Sequence, residues 1–210
     1  MKNRYTSKKM SLLTMLSIFF LLSGCASTGG YNVGPGSSST SVKQSVNLSA
    51  RPAVPLSVII PTFDPNIPDN PDQYKKKSIW PELRRAEANR FAVQLRNSLN
   101  QTQAFGAVRV TPDKTATAHL YVNAKILTSN GEDIKIGIDV IDISGKRILK
   151  KNYKHRVTEY ELEDPRSVGK DRYQKVFDLA AVDIAKASSK LRPKKVAELN
   201  AIEELRFAES

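Results

Sequence analysis

The chain has 210 residues, of which 40% are hydrophobic and 26% are charged. This balance is typical of a globular protein and excludes collagen-like, wholly disordered and polytopic membrane classes. A single cysteine excludes an intramolecular disulfide and a multi-cysteine zinc site, and two histidines leave little material for a transition-metal centre. The formal charge of +12 suggests nucleic-acid binding at first sight.

The first 24 residues have the three-part pattern of a secretion signal. Lys2, Arg4, Lys8 and Lys9 form a basic start without an acid, and an eleven-residue, mainly apolar run follows at positions 12–22. A helix that spans a bilayer needs roughly 20 apolar residues, so this run is too short for one. It has the length of a signal-peptide core. We therefore predict a signal peptide over residues 1–24; a buried core helix is the less favoured alternative.

Leu22-Ser23-Gly24-Cys25 follows the apolar run directly and resembles the lipobox of bacterial lipoproteins. The resemblance implies cleavage before Cys25, a diacylglycerol on its sulfur and acylation of the new amino terminus. Two or three acyl chains anchor a protein stably, whereas one does so only marginally. Ala26 at the next position resembles the pattern of lipoproteins that are sent on to the outer membrane. The expected location is the outer membrane, lipid-anchored and facing the periplasm.

Removal of the predicted signal peptide lowers the net charge and changes which partners that charge suggests. Subtracting 24 from 210 leaves 186 residues, and four cations leave with the signal, so the formal charge falls from +12 to +8. An exported protein rarely meets nucleic acid, so we expect none as a partner. Anionic lipid, lipopolysaccharide or acidic exopolysaccharide fit the basic excess better. A basic surface that serves only solubility is an equally weighted alternative.

Residues 25–53 are rich in Gly and Ser and contain no large apolar cluster, which predicts a flexible tether. The folded domain is predicted over residues 54–192. Its first strand is expected at about residues 57–60, in a β-branched run bounded by prolines. The next segment, residues 64–77, contains Pro65, Pro68 and Pro71, which favour a long loop without helix.

Pro81 suits the first turn of a helix, which is predicted to end at about Gln101. Its apolar stripe follows helical spacing and comprises Leu83, Ala88, Phe91, Ala92, Leu95 and Leu99. Arg84 and Arg85 are expected off that stripe. After a turn at Gly106, a short strand is predicted at residues 107–110.

Three strands follow in quick succession, at residues 119–128, 133–143 and 147–157. Asn130-Gly131 and Ser144-Gly145 predict the tight turns between them. Along the first of these strands, Leu120, Val122, Ala124 and Ile126 alternate with His119, Tyr121, Asn123 and Lys125. Alternation of this kind predicts an antiparallel sheet with one buried face and one wet face.

A polar segment at residues 159–170 is expected to be a loop. From Asp171 a second amphipathic helix is predicted, followed after Pro193 by a C-terminal helical tail at residues 193–210. The order is β-α-β-β-β-β-α. We therefore predict an α+β fold, with a mixed, largely antiparallel sheet and two main helices packed on one face, preceded by the signal peptide and tether.

The sequence contains no convincing catalytic constellation. His119 and His155 are placed where they could meet across neighbouring strands, but no HExxH-like helix or second cysteine accompanies them. Asp139 and Asp142 fall near hairpins, where acids are ordinary turn and edge residues. We expect no enzyme activity, no metal and no cofactor.

An exposed aromatic beside a basic cluster is the better functional clue. Trp80 lies just before the first long helix, close to Lys75, Lys76 and Lys77 and to Arg84 and Arg85. Tryptophan and arginine dominate binding hot spots, so these residues are the predicted partner-binding site. The alternative is that Trp80 packs the loop onto the helix as a staple.

Several degenerate motifs occur in a characteristic order: VIIPTF at 58–63, LRNSL at 95–99, Phe105-Gly106, AHLYVNAKI at 118–126 and VIDISGK at 140–146. Together they resemble the fold of the TolB amino-terminal domain and the curli-export lipoproteins, over about residues 54–191. The resemblance implies a non-catalytic domain that binds proteins or assembles into rings at the outer membrane.

The sequence thus predicts a lipid-anchored, non-catalytic accessory or scaffold of an envelope assembly or export machine. An envelope protein is the expected partner, and the sequence does not decide whether the chain also forms a homo-oligomer. A lipoprotein that binds an anionic glycan or lipid through its basic surface is the alternative.

Overall fold

The computed structural model describes residues 55–158 and 171–208. The signal peptide, Cys25, the tether and the loop expected at 159–170 lie outside the described residues. In chain order the elements are β1 (Val58–Pro61), α1 (Asp72–Lys76), α2 (Pro81–Thr102), β2 (Val108–Thr111), β3 (Leu120–Ser129), β4 (Asp133–Asp142), β5 (Arg147–Arg156), α3 (Gln174–Ser189) and α4 (Pro193–Ala208).

The strands form a five-stranded mixed sheet in the order β2-β1-β3-β4-β5. β1 runs parallel to β2 and β3, whereas β3, β4 and β5 form an antiparallel meander with long ladders. The parallel pair β1 and β2 is joined through α2, as a parallel connection requires. Gly131 and Gly145 adopt φ of 94° and 86° in the two hairpin turns. The predicted α+β class with a mixed, largely antiparallel sheet is confirmed.

Helices α2 and α3 pack together on one face of the sheet. Phe91 lies at the centre of this layer, with its ring centroid 6.4 Å from Phe63, 6.0 Å from Tyr173 and 5.4 Å from Phe177. All four rings are buried. Burying an aromatic or aliphatic side chain of this size stabilises a fold by about 1.5–3 kcal/mol. The aromatic cluster therefore holds both helices to the sheet.

The expectation of a loop without helix at residues 64–77 is wrong at its end. Helix α1 occupies Asp72–Lys76, and Pro71 is its N-cap. All three prolines precede the helix, so none removes a hydrogen bond inside it. Proline restricts the residues before it far more than those after it, which explains the difference.

The stripe predicted for α2 is wrong at its first position. Leu83 is 55% exposed, and Arg84 is 3% exposed. Arg84 stands four residues before Ala88 and seven before Phe91, which is the spacing of one helix face. Leu83 is hydrophobic, but its angular position on the helix places it off this stripe.

The second face of β3 is partly covered, contrary to the prediction that it is wet. His119 is 4% exposed and Tyr121 is 7% exposed. The Tyr121 hydroxyl donates to the Ala116 carbonyl at 3.2 Å and accepts from the Ala118 amide at 3.3 Å. The turn before β3 thus folds back over this face of the strand.

Helix α4 docks on the domain, a point that the sequence left open. Leu199 is fully buried and Val196 is nearly so, and both belong to the hydrophobic core. Lys195 lies 3.3 Å from the buried carboxylate of Asp142 at the end of β4. The predicted tail is therefore part of the packed domain over the described residues of α4.

Candidate partner-binding surface

The backbone between α1 and α2 forms a helix-terminating motif that fixes where Trp80 lies. The Ile79 amide donates to the Tyr74 carbonyl at 2.8 Å, and the Ser78 amide donates to the Lys75 carbonyl at 3.3 Å. Ser78 has a φ of 50°, in the left-handed region. This pair of bonds around a left-handed residue is the Schellman arrangement.

The two residues after that turn have opposite environments. Ile79 is 7% exposed, whereas Trp80 is 74% exposed. Ile79 therefore anchors the loop to the domain, and the alternative in which Trp80 acts as the staple is wrong. Trp80 is the N-cap of α2, so its backbone position is set by a 22-residue helix that begins with Pro81.

Leu83 is exposed one helical turn after Trp80, and Lys75, Lys76 and Lys77 are exposed before it. We name this set, Lys75, Lys76, Lys77, Trp80 and Leu83, the Trp80 surface. Among the described residues, no acid forms an ion pair with these three lysines. Sequence reasoning missed Leu83 because it placed this residue on the buried stripe of α2. The helical position of Leu83, next to Glu87 and away from Phe91, was the available signal.

The two arginines predicted for this site separate in the structure. Arg85 is exposed, and its guanidinium donates to Glu82, which is also exposed. Arg84 is buried: its Nη2 donates to the Ser129 carbonyl at 3.1 Å, and its Nε lies 3.4 Å from Glu87 Oε2. The placement of Arg84 on an exposed surface is therefore wrong.

Burial lowers the pKa of Arg84 from its ordinary value, and the carboxylate of Glu87 partly offsets this effect. Glu87 also accepts from the Ser129 hydroxyl at 2.6 Å. Arg84, Glu87 and Ser129 thus form one network that ties α2 to the end of β3. Arg84 has a structural role, and it does not belong to the Trp80 surface.

The two histidines do not meet, because β4 separates β3 from β5. His119 Nδ1 accepts from the Ser57 amide at 3.0 Å, and Nε2 faces α4. That nitrogen lies 2.6 Å from Asn200 Oδ1 and 3.0 Å from Glu203 Oε2, both on α4. The Ser57 hydroxyl donates to Glu203 Oε1 at 2.6 Å. These polar contacts join β3 and the start of β1 to α4.

Within the described ranges, no three His, Cys, Asp or Glu side chains are grouped so that they could hold a metal ion. Cys25, the predicted lipid attachment site, lies outside those ranges. None of the helices over residues 55–158 and 171–208 combines the length and apolar character that crossing a membrane requires.

Comparison with known proteins finds little similarity. No protein-family model matches the chain, and no curated protein does either. A solved structure with some likeness is the dodecamer of a single-residue variant of PelC from Paraburkholderia phytofirmans. It is 11% identical with a TM-score of 0.37, and the alignment covers 68% of this chain and 92% of that chain. A likeness at this level carries no argument about function.

Proposed function

We propose that the chain is a lipid-anchored, non-catalytic accessory of a cell-envelope assembly or export complex, located at the outer membrane and facing the periplasm. In this role the domain binds a partner protein through the Trp80 surface. The observation that carries the proposal is the 74% exposure of Trp80 at the start of a long helix.

A tryptophan in this position is suited to binding. Its backbone is fixed at the start of α2, one turn from exposed Leu83, so a partner can remove both side chains from water without reordering the backbone. Interface hot spots combine such aromatic anchors with a polar rim, and the lysines of α1 supply a rim here. Pre-organisation lowers the entropy lost on binding.

The anchor in this proposal rests on the lipobox-like residues ending at Cys25. An acylated Cys25 would hold the chain at a membrane, and the tether of residues 25–53 would separate it from the domain. A random coil of that length reaches on the order of 25–30 Å. This reach would keep the domain clear of the headgroups and able to meet a neighbouring protein.

The exposed lysines favour a second candidate function, binding of an anionic glycan or lipid. Lys75, Lys76 and Lys77 are consecutive and exposed, and among the described residues they have no acidic partner. Contacts of this kind weaken steeply with salt, because solvent-exposed charges are screened. An apolar interface centred on Trp80 keeps its strength. Salt therefore distinguishes the two candidates.

Site-specific photo-crosslinking in cells tests the docking surface. A photoreactive residue replaces Leu83 in one variant and Leu179, which is 59% exposed on α3, in the control. We expect a discrete protein adduct from position 83, weak or absent from position 179. Adding Trp80→Ala should reduce the adduct at least about tenfold, as truncation of a hot spot does.

In the purified, crosslinked complex the mass of the adduct identifies a different protein or a second copy of this chain. If Trp80→Ala leaves the adduct unchanged, protein docking through Trp80 is wrong. A second outcome, in which high salt abolishes the adduct and Trp80→Ala does not, also contradicts docking through Trp80. The second outcome supports the polyanion candidate.

Membrane fractionation of wild type and Cys25→Ala tests the anchor. We expect acylated wild type in the outer-membrane fraction, with the acyl groups visible in the mass of the mature amino terminus. The variant should leave that fraction and lose the position-83 adduct. An unacylated wild type that does not fractionate with membranes would contradict the lipoprotein proposal.

A further inference from the structure

A groove of about 430 Å³ lies on the sheet face opposite α2 and α3. Side chains of β3, β4 and β5 line it, together with residues that follow β1 and β2; they include Thr62, Asn123, Leu127, Gly137, Lys150 and Asn152. This volume lies within the range of pockets that hold small ligands, about 300–1,000 Å³.

Gly137 keeps the floor of the groove open. It stands in the middle of β4, where glycine weakens a strand by roughly 0.5–1 kcal/mol relative to alanine. A Cβ at this position would lie 3.0 Å from Asn152 Oδ1 and 3.6 Å from Leu127 Cδ1. The backbone conformation does not require glycine here, so the feature that glycine preserves is the space between these two side chains.

One amide side chain that lines the groove has an oxygen without a hydrogen-bond partner among the described residues. Asn123 Oδ1 is buried and makes no hydrogen bond with any described residue. A buried acceptor without a donor costs about 1–3 kcal/mol, so a turn of this side chain that lets a bound group donate a hydrogen bond to it would be favoured. Asn152, the cross-strand neighbour of Gly137, brings a second amide to the same groove.

The charges of the groove leave an excess of cations. Asp139 receives two hydrogen bonds from Arg147, at 2.7 and 2.9 Å, and Asp64 lies 3.1 Å from Lys125. Lys114 and Lys150 also line the groove; neither lies within ion-pair distance of an acid in the described part of the chain, and both act on Asp139 only through space. The groove is therefore complementary to an anionic ligand.

We propose that this groove binds a uronate unit of an acidic glycan. Its carboxylate lies between Lys114 and Lys150, a hydroxyl donates to Asn123 Oδ1 after that side chain turns toward the groove, and the amide of Asn152 contacts a second hydroxyl. The ring rests on Gly137 and Leu127. The combination of excess cations, amides and an acceptor without a partner among the described residues favours a hydroxylated anion over a purely apolar or cationic ligand. The proposal does not depend on the Trp80 surface.

Fluorescence anisotropy with labelled tetragalacturonate and the purified full chain tests the groove. Gly137→Val fills the floor of the groove and should raise the Kd about tenfold. The strand should tolerate valine here, since β-branched residues favour strands. Lys150→Ala should raise the Kd about fivefold. Lys154→Ala is the matched control, because this lysine lies on the same strand and face but outside the groove.

Circular dichroism and thermal melting confirm that each variant is folded, and Gly137→Ala provides a milder second filling. Unchanged affinity in folded Gly137→Val and Gly137→Ala overturns the proposal. So does an equal loss in Lys150→Ala and Lys154→Ala, because that result indicates a diffuse basic surface. Neutral maltotetraose should not compete. Competition by hexaglutamate as strong as that by unlabelled tetragalacturonate would show an acidic-peptide site and overturn the saccharide assignment.

Discussion

Arg84 and Arg85 are adjacent in the chain and identical in chemistry, yet their side chains occupy opposite environments. The guanidinium of Arg84 is buried against Ser129 and Glu87, and the guanidinium of Arg85 is exposed on the same helix turn as Glu82. Helix geometry separates successive side chains by about 100°, so adjacent residues necessarily lie on different faces. Their contributions to stability should differ accordingly.

We predict that Arg84→Ala lowers the free energy of unfolding by about 3 kcal/mol, because it leaves the partly buried Glu87 carboxylate without its cation. Arg85→Ala should change the same quantity by less than about 0.5 kcal/mol, since exposed ion pairs contribute little. Urea denaturation followed by circular dichroism measures both. Equal effects of the two substitutions would contradict the buried-network interpretation.

Helix α2 ends at a non-glycine residue in the left-handed region. Gln103 is the C-cap, with a φ of 54°, and its amide donates to the Asn100 carbonyl. The sequence predicted an end near Gln101 and a turn at Gly106, because glycine is the usual residue for such a reversal. The reversal occurs three residues earlier, where the side chain makes the left-handed conformation unfavourable.

We predict that Gln103→Gly raises the free energy of unfolding by about 1 kcal/mol, because glycine adopts this conformation without steric cost. Gln101→Gly is the matched control: it is two residues earlier, inside the helix and exposed. It should lower the same free energy by about 0.5–1 kcal/mol. Thermal and urea unfolding of both variants test the opposite signs. A destabilised Gln103→Gly would show that the side chain of Gln103 stabilises the cap.

At the scale of the whole molecule, the last helix closes the end of the sheet through charged and polar contacts. Asp142 Oδ1 accepts from the amides of Ser144 and Lys146 at 2.9 and 3.0 Å, and Lys195 of α4 lies beside its other oxygen. Burial alone would raise the pKa of Asp142. The hydrogen bonds from Ser144 and Lys146, together with the nearby ammonium group of Lys195, outweigh burial, so the pKa is lowered from its ordinary value of 3.8.

A carboxyl group whose pKa is lowered on folding stabilises the fold when it is ionised. This contribution is fully present above the ordinary carboxyl value of about pH 4 and is lost as the pH falls through the lower pKa of the folded state. We predict that Asp142→Asn lowers the free energy of unfolding by about 1–2 kcal/mol at pH 7. The difference from wild type should begin to shrink below about pH 4 and should vanish only below the lowered pKa of the folded state.

Urea unfolding over this pH range measures the effect, with Asp69→Asn as a control on an exposed acid that makes no described contact. A difference between wild type and Asp142→Asn that stays constant with pH would show that the carboxylate charge does not hold α4.

The sequence by itself determined the features that depend on neighbouring residues. The alternation along β3 and β4, the Gly131 and Gly145 turns and the helical spacing of α2 and α3 predicted these elements within a few residues of their observed bounds. From these elements the α+β class followed, since each apolar face must be buried against another element. The exposed, basic neighbourhood of Trp80 was also readable from its chain neighbours.

The tertiary structure decided which polar side chains are buried and which apolar ones are exposed. Arg84 contacts Ser129, 45 residues away, and His119 contacts Asn200, 81 residues away. Trp80 is exposed because Ile79 takes the buried position, and the groove at Gly137 exists because β5 brings Asn152 beside it. Periodicity reports the face on which a residue lies, whereas its burial depends on which distant segment covers that face.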